Sequence, residues 1–199
     1  MAEQRPQRVV LVRHGATDWS DSLRHTGWTD PPLNQSGLRQ AAALAQPLAQ
    51  WSFSAVLCSP LQRALATCEL SGHLENAQID QDLREWDYGD YEGLTSAEIR
   101  AQRPGWNIWD QGVVGGETLD QLGERVDRVV ARLRTLSGDV CVFGHGHALR
   151  VLGARWIDRP PLLAQNLNLA TATISQLGWE REWPSITLWN QAQPPGGVD

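Results

Sequence analysis

Short β-branched runs alternate with stretches of helical spacing along this chain, and the alternation predicts an α/β architecture. Val9-Val10-Leu11-Val12 reads as a strand over 9–13, buried on both faces because it is apolar without a break. A polar loop follows to about residue 34. Leu38, Ala41, Ala42, Leu44 and Leu48 then share a helical face behind Ser36 as cap, and Pro47 should end or kink that helix because it lacks a backbone donor. The strand Ala55-Val56-Leu57-Cys58 is halted by Ser59-Pro60, and residues 61–71 have helical spacing with Pro60 near the first turn. A helix over 118–136 carries Leu122, Val126, Val129, Val130 and Leu133 on one face. Residues 140–143 form another strand, ending at Gly144-His145, and 148–157 look helical. Residues 171–177 and 185–189 alternate like half-exposed strands closing an edge of the sheet. The tail, 192–199, is expected to be disordered. Residues 84–117 are rich in Trp, Gly and acidic side chains and weak in periodicity, as expected of an insertion that covers a site. The expectation is one domain over 1–199, a three-layer sandwich with a mostly parallel central sheet, helices on both faces and an inserted lid.

Composition limits what such a fold can do. No stretch approaches the roughly 20 continuous apolar residues of a membrane span, and the amino-terminal MAEQRPQR lacks the apolar run of a secretion signal, so a cytoplasmic protein is expected. A net charge of -6 argues against a nucleic-acid or membrane-surface binder, and any anion site must be local. All seventeen basic residues are arginine; without lysine, Schiff-base chemistry and P-loop nucleotide binding are excluded. Cys58, Cys68 and Cys141 show no CxxC spacing and read as reduced structural thiols.

Three strand ends carry polar groups: Arg13-His14-Gly15, then Ser59 with Arg63 one turn later, then His145. Parallel strands bring such ends to one edge of the sheet, where open α/β folds bind ligands. Two arginines and two histidines there make a cationic pocket suited to a phosphoryl group, and Gly15 would let a ligand approach the backbone closely. A neutral His14 imidazole can attack phosphorus if its other ring nitrogen is held by a hydrogen bond. Glu85, Asp87, Asp90 and Glu92 are candidates for protonating the leaving alkoxide, and burial against tryptophan would favour the protonated carboxyl; composition does not choose among the four.

Arg13-His14-Gly15-x-Thr17-x-Trp19, Leu33 to Gly37 with Gln40-Ala41, Ser59-Pro60-x-x-Arg63, the Glu85 to Gly93 block, Gly116-Glu117-Thr118 and Gly144-His145-Gly146 together resemble the histidine phosphatase superfamily over roughly residues 8–157. The resemblance implies that His14 is the phosphorylated nucleophile, that Arg13, Arg63 and His145 bind the phosphoryl group, that Glu85 is the proton donor, and that no metal or other cofactor is needed. Phosphoglycerate mutases of this family carry a basic stretch and a lysine that grip a second anionic group. Here Trp86, Asp87 and Ser96 stand in those places, which favours hydrolysis over mutase chemistry. Within the phosphatases, the Leu83 to Gly93 block and the stretch from Phe143 to Arg150 are similar to sedoheptulose bisphosphatases and a group of broad-specificity acid phosphatases, implying a small sugar phosphate or bisphosphate as substrate. Arg150 could then meet a second phosphate, although a surface arginine is an equal reading. Ala16 and Ser20 depart from many relatives, and His25-Thr26-Gly27 could supply replacement contacts, Thr26 through its hydroxyl and Gly27 through its amide.

Other readings are a metal-dependent hydrolase using His145-x-His147, a cysteine phosphatase, for which Cys58 and Arg63 are spaced wrongly, and a phosphate-ester binding module without turnover. Trp86, Trp106 and Trp109 are expected to hold the lid together more than to stack on substrate. Trp179, Trp183 and Trp189 either cover the late sheet edge or join subunits, which leaves a homo-oligomer open.

Overall fold

The computed structural model describes residues 7–193. Its sheet has six strands, β1 (Val9–Arg13), β2 (Phe53–Cys58), β3 (Ala77–Ile79), β4 (Asp139–Gly144), β5 (Thr173–Glu180) and β6 (Trp183–Ala192), in the order β3-β2-β4-β1-β5-β6. The first four run parallel, while β5 is antiparallel to β1 and β6 to β5. The helices are α1 (Asp18–Asp21), α2 (Gln35–Ala43), α3 (Ala45–Leu48), α4 (Gln62–Leu70), α5 (Ser96–Gln102), α6 (Ile108–Gln111), α7 (Leu119–Thr135) and α8 (Gly146–Trp156).

The unbroken apolar run of β1 has a direct cause in this layering. Successive side chains alternate faces, so Val9 and Leu11 enter a core shared with α7 and α8, and Val10 and Val12 enter a second core beneath α3 and α4. Both faces are covered. The α7 helix starts where Thr118 and Gln121 cap each other reciprocally, Thr118 N–H donating to Gln121 Oε1 at 2.8 Å and Gln121 N–H to Thr118 Oγ1 at 3.2 Å. Its buried face is the one read from the sequence, with Gly123 and Arg125 added to it.

Several boundaries differ from expectation. The cap of α2 is Asn34, whose Oδ1 accepts from the Gly37 N–H at 2.9 Å, not Ser36. The helix breaks after Ala43 and resumes as α3 with Pro47 inside it, where the proline cannot donate back to the preceding turn. Strand β3 was invisible in the pattern because it is three residues on a sheet edge, paired only to β2. Helix α8 begins at Gly146, before the expected 148. Strand β6 reaches Ala192, so that position of the expected disordered tail is paired, to Thr173; residues 194–199 lie outside the described residues. All three cysteines are free, buried and gathered in the second core. Among the described residues no helix is long and apolar enough to cross a membrane.

Candidate active site

Strand register builds the site. Arg13 pairs with Gly144 and Cys58 with Phe143, so residues 14, 59 and 145 leave the sheet side by side. The His14 N–H donates to Gly144 O and the Ser59 N–H to Phe143 O, each at 3.0 Å. The two imidazoles come to rest with ring centroids 5.2 Å apart. His14 Nδ1 lies 2.7 Å from Gly15 O. A carbonyl only accepts, so Nδ1 carries the hydrogen and Nε2 keeps its lone pair. Burial, reinforced by the positive charges of Arg63 and Arg13, holds His14 well below the usual imidazole range. Burial does the same to His145, with Arg63, His14 and Arg13 adding to it.

The two arginines are anchored without being exhausted. Arg63, fully buried, donates to Gly27 O at 2.8 Å, Thr29 O at 3.1 Å and Thr26 O at 3.2 Å, and pairs with Asp30 at 3.3 Å. Arg13 donates to Leu169 O at 2.5 Å. The Nε atoms of both arginines and Nδ1 of His145 are buried with no partner among the described residues, while His145 Nε2 is tied to Ser59 Oγ at 2.7 Å. Each unsatisfied buried polar atom costs about 1–3 kcal/mol. Three such atoms, all on residues at or next to the strand ends that carry His14, fit a site for an oxygen-rich anion. Gly15 serves another purpose than ligand approach: a Cβ there would meet Gly37 O at 2.5 Å, and one on Gly37 would meet Ala16 O at 2.0 Å. The pair lets the 14–16 loop cross the start of α2 in backbone contact.

Among the four carboxyl candidates, the surroundings differ sharply. Asp90 is exposed; Asp87 caps its own turn through the Gly89 N–H; Glu92 accepts from the Gly27 and Trp28 N–H groups at 3.2 and 3.0 Å. Glu85 alone of the four lines the cavity beside His14, at the amino end of α8. Its Oε1 accepts from the Trp86 and Ala148 N–H groups at 2.9 and 2.8 Å, and its Oε2 from the His147 N–H at 3.0 Å. The backbone beneath it is clamped by Arg125, which donates to the carbonyls of Asp82, Arg84 and Glu85 and pairs with Glu117 at 2.7 Å. Sequence reading passed over Arg125, although a charge three residues after Leu122 on an apolar stripe was a usable signal.

The cavity has a volume of about 420 Å³ and takes its walls from Arg13 and His14 at the strand end, the start of α8, the 20–26 loop and the segment between residues 85 and 109, while Arg63 and His145 do not line it. Thr26 lines it, with its hydroxyl donating to Arg24 O at 3.0 Å. Gly27 does not line it: its N–H is engaged by Glu92, which corrects the expectation that this amide meets phosphate. Arg150 lines it too, anchored on Ala164 O and Gln165 O with its guanidinium 4.8 Å above the Trp109 ring. Arg24 and Arg100 also face the cavity, so its outer part is not as poor in cations as Trp86, Asp87 and Ser96 suggested. Trp86 and Trp106 tie the covering segment internally through Glu117 O and Gly112 O, and Trp106 and Trp109 line the cavity as well. The His145-x-His147 pair diverges, one ring to Ser59 and the other to Tyr88, and among the described residues no group of three His, Cys, Asp or Glu is placed to hold a metal ion.

A parallel sheet edge carrying two neutral histidines, one buried and one half-buried arginine and a carboxyl is an α/β site suited to a phosphoryl group. The chain belongs to the histidine phosphatase superfamily, branch 1, whose family model matches residues 9–192. It is 38% identical over 197 residues to an acid phosphatase of Mycobacterium tuberculosis, covering 96% of this chain and 97% of that protein. It is 37% identical over 182 residues to a sedoheptulose 1,7-bisphosphatase of Saccharomyces cerevisiae, covering 75% and 67% respectively. The solved structure of the Mycobacterium tuberculosis open reading frame Rv3214 superposes with a TM-score of 0.89 at 36% identity, over 94% of this chain and 99% of that one. The chain is a phosphatase.

Proposed function

We propose that this phosphatase hydrolyses phosphate monoesters of small sugars through a phosphohistidine at His14. The observation that carries the reading is the His14 Nδ1–H bond to Gly15 O, which leaves Nε2 its lone pair on a ring whose centroid is 5.2 Å from that of His145. In the first step Nε2 attacks phosphorus, the ester P–O bond breaks, and a proton that the bound ester monoanion delivers to the Glu85 carboxylate passes on to the leaving alkoxide. In the second, water attacks phosphorus, Glu85 takes the water's proton, and the N–P bond breaks to release phosphate. Arg13, Arg63 and His145 hold the phosphoryl oxygens throughout. No step calls on a metal. The similarity to a sedoheptulose bisphosphatase, together with Arg150 in the cavity wall, supports a sugar bisphosphate among the substrates.

Acid-labile, base-stable phosphate should accumulate on protein quenched in alkaline detergent during turnover of 4-nitrophenyl phosphate and be absent from His14→Ala. Undiminished turnover in that variant would overturn the mechanism. A mutase would instead pass the phosphoryl group to a second phosphoglycerate in preference to water, and a binding module would show no turnover. A preference for sedoheptulose bisphosphate over its monophosphate that vanishes in Arg150→Ala is the outcome expected of the bisphosphate reading.

A further inference from the structure

Beyond the phosphoryl-binding residues, the cavity wall holds two more imidazoles, His25 and His147, both packed edge-on against Tyr88 at centroid distances of 5.0 and 5.8 Å. They are fixed in opposite tautomers. His25 Nδ1 lies 2.8 Å from Leu94 O, an acceptor, so Nδ1 carries the hydrogen and Nε2 is an acceptor. His147 Nδ1 lies 2.5 Å from the Tyr88 hydroxyl. Burial and the nearby Glu85 charge keep that phenol protonated, and a phenol O–H is a stronger donor than a neutral imidazole N–H, so Tyr88 donates, Nδ1 accepts, and His147 carries its hydrogen on Nε2. Burial holds both imidazoles below the usual range and therefore neutral. Among the described residues neither Nε2 has a hydrogen-bond partner, and Trp106 packs on His25 at 5.5 Å and Trp109 on His147 at 5.1 Å.

We infer that His25 and His147 form a matched acceptor and donor that read the hydroxyl groups of the alcohol half of the substrate, making polyol phosphates preferred over plain alkyl phosphates. A hydroxyl group donates and accepts at once, and a pair of neutral nitrogens of opposite sense satisfies it without the desolvation cost of a charge. The flanking indoles present apolar surface to the C–H groups between hydroxyls, and edge-to-face packing on Tyr88 keeps both rings from turning. Tyr88 is a positioning residue that acts by setting the His147 tautomer. This inference rests on the phosphomonoesterase reading and deepens it.

The test compares kcat/KM for glycerol 3-phosphate with that for n-propyl phosphate, which has the same carbon chain and no free hydroxyl. The parent protein should favour the polyol ester, and His25→Phe or Tyr88→Phe should lower the ratio of the two values about tenfold, the scale of one neutral hydrogen bond. A ratio that stays constant while both values fall would mean a purely structural role and overturn the inference. Histidine ¹⁵N chemical shifts of the unmutated protein need no variant to fold: Nδ1–H for His25 and Nε2–H for His147 are expected, and a shared tautomer would also overturn it. Phosphorylated His14 with an unchanged ratio defeats only this inference; absence of the phosphorylated form in the parent protein defeats the phosphohistidine reading with it.

Discussion

Replacing Glu85 by glutamine separates the chemical role of this side chain from its structural one. The carboxylate accepts three backbone N–H bonds, two on Oε1 and one on Oε2. A glutamine oxygen can keep the Trp86 and Ala148 donors, but its NH₂ then faces the His147 N–H, a donor against a donor. One hydrogen bond to a charged group is lost, worth about 1.5–3 kcal/mol. At about 2–4 °C per kcal/mol for a chain of this size, Tm should fall by roughly 3–12 °C, leaving the variant folded at 25 °C. Removal of the acid should slow phosphorylation of His14 by alkyl phosphates about 10²–10⁴-fold, equivalent to about 3–5 kcal/mol of barrier. A leaving group such as 4-nitrophenolate departs without a proton and should lose far less. Rapid-quench measurement of the phosphorylation step with each ester isolates this difference from the later attack of water. Equal losses with both esters would refute Glu85 as the acid and reduce it to a prop at the α8 amino end.

Two further outcomes follow from buried charge. Because His14, His145 and His147 are all held well below 6.5 in the folded protein, the unfolded chain takes up protons that the native state refuses as pH falls through about 6.5, so stability should decline on acidification from that point; a urea midpoint unchanged between about pH 7.5 and 5 would contradict the buried neutral imidazoles. Arg125→Ala strands the Glu117 carboxylate and frees three carbonyls under Glu85, so we expect a loss of about 3–5 kcal/mol by urea denaturation. Adding Glu117→Ala should recover part of that loss, and a double mutant no better than the single would show that the ion pair is not what matters.

The meeting of Arg13, His14, Ser59 and His145 was readable because each sits where a strand's apolar run stops, and parallel register does the rest, since they need only adjacent strand ends to meet. Arg63 follows from its place in the first turn after β2. The rest of the site was harder to read. Residues 85–109 have no period, so nothing in their order says that Glu85 rests on the α8 amides while Glu92, seven positions later, turns away to hold Gly27 and Trp28. Gly27 was misread because an amide's availability depends on a partner 65 residues distant. His25 was noticed only as a neighbour of Thr26, since a tautomer is set by a carbonyl that folding brings in from residue 94.

The three thiols gathered under α3 and α4 have a practical consequence. Cys58, Cys68 and Cys141 are each wholly shielded from solvent, and none belongs to the core on the α7 and α8 side. An alkylating reagent can therefore modify the native protein only when the α3 and α4 layer swings open, and the rate at which label appears counts those openings. Since Cys58 immediately precedes Ser59 and Cys68 lies in the same helix as Arg63, the openings that admit reagent also loosen the cradle around His14. Pulsed alkylation with and without vanadate would then report occupancy of the phosphoryl site as protection of sulfur atoms that never touch it.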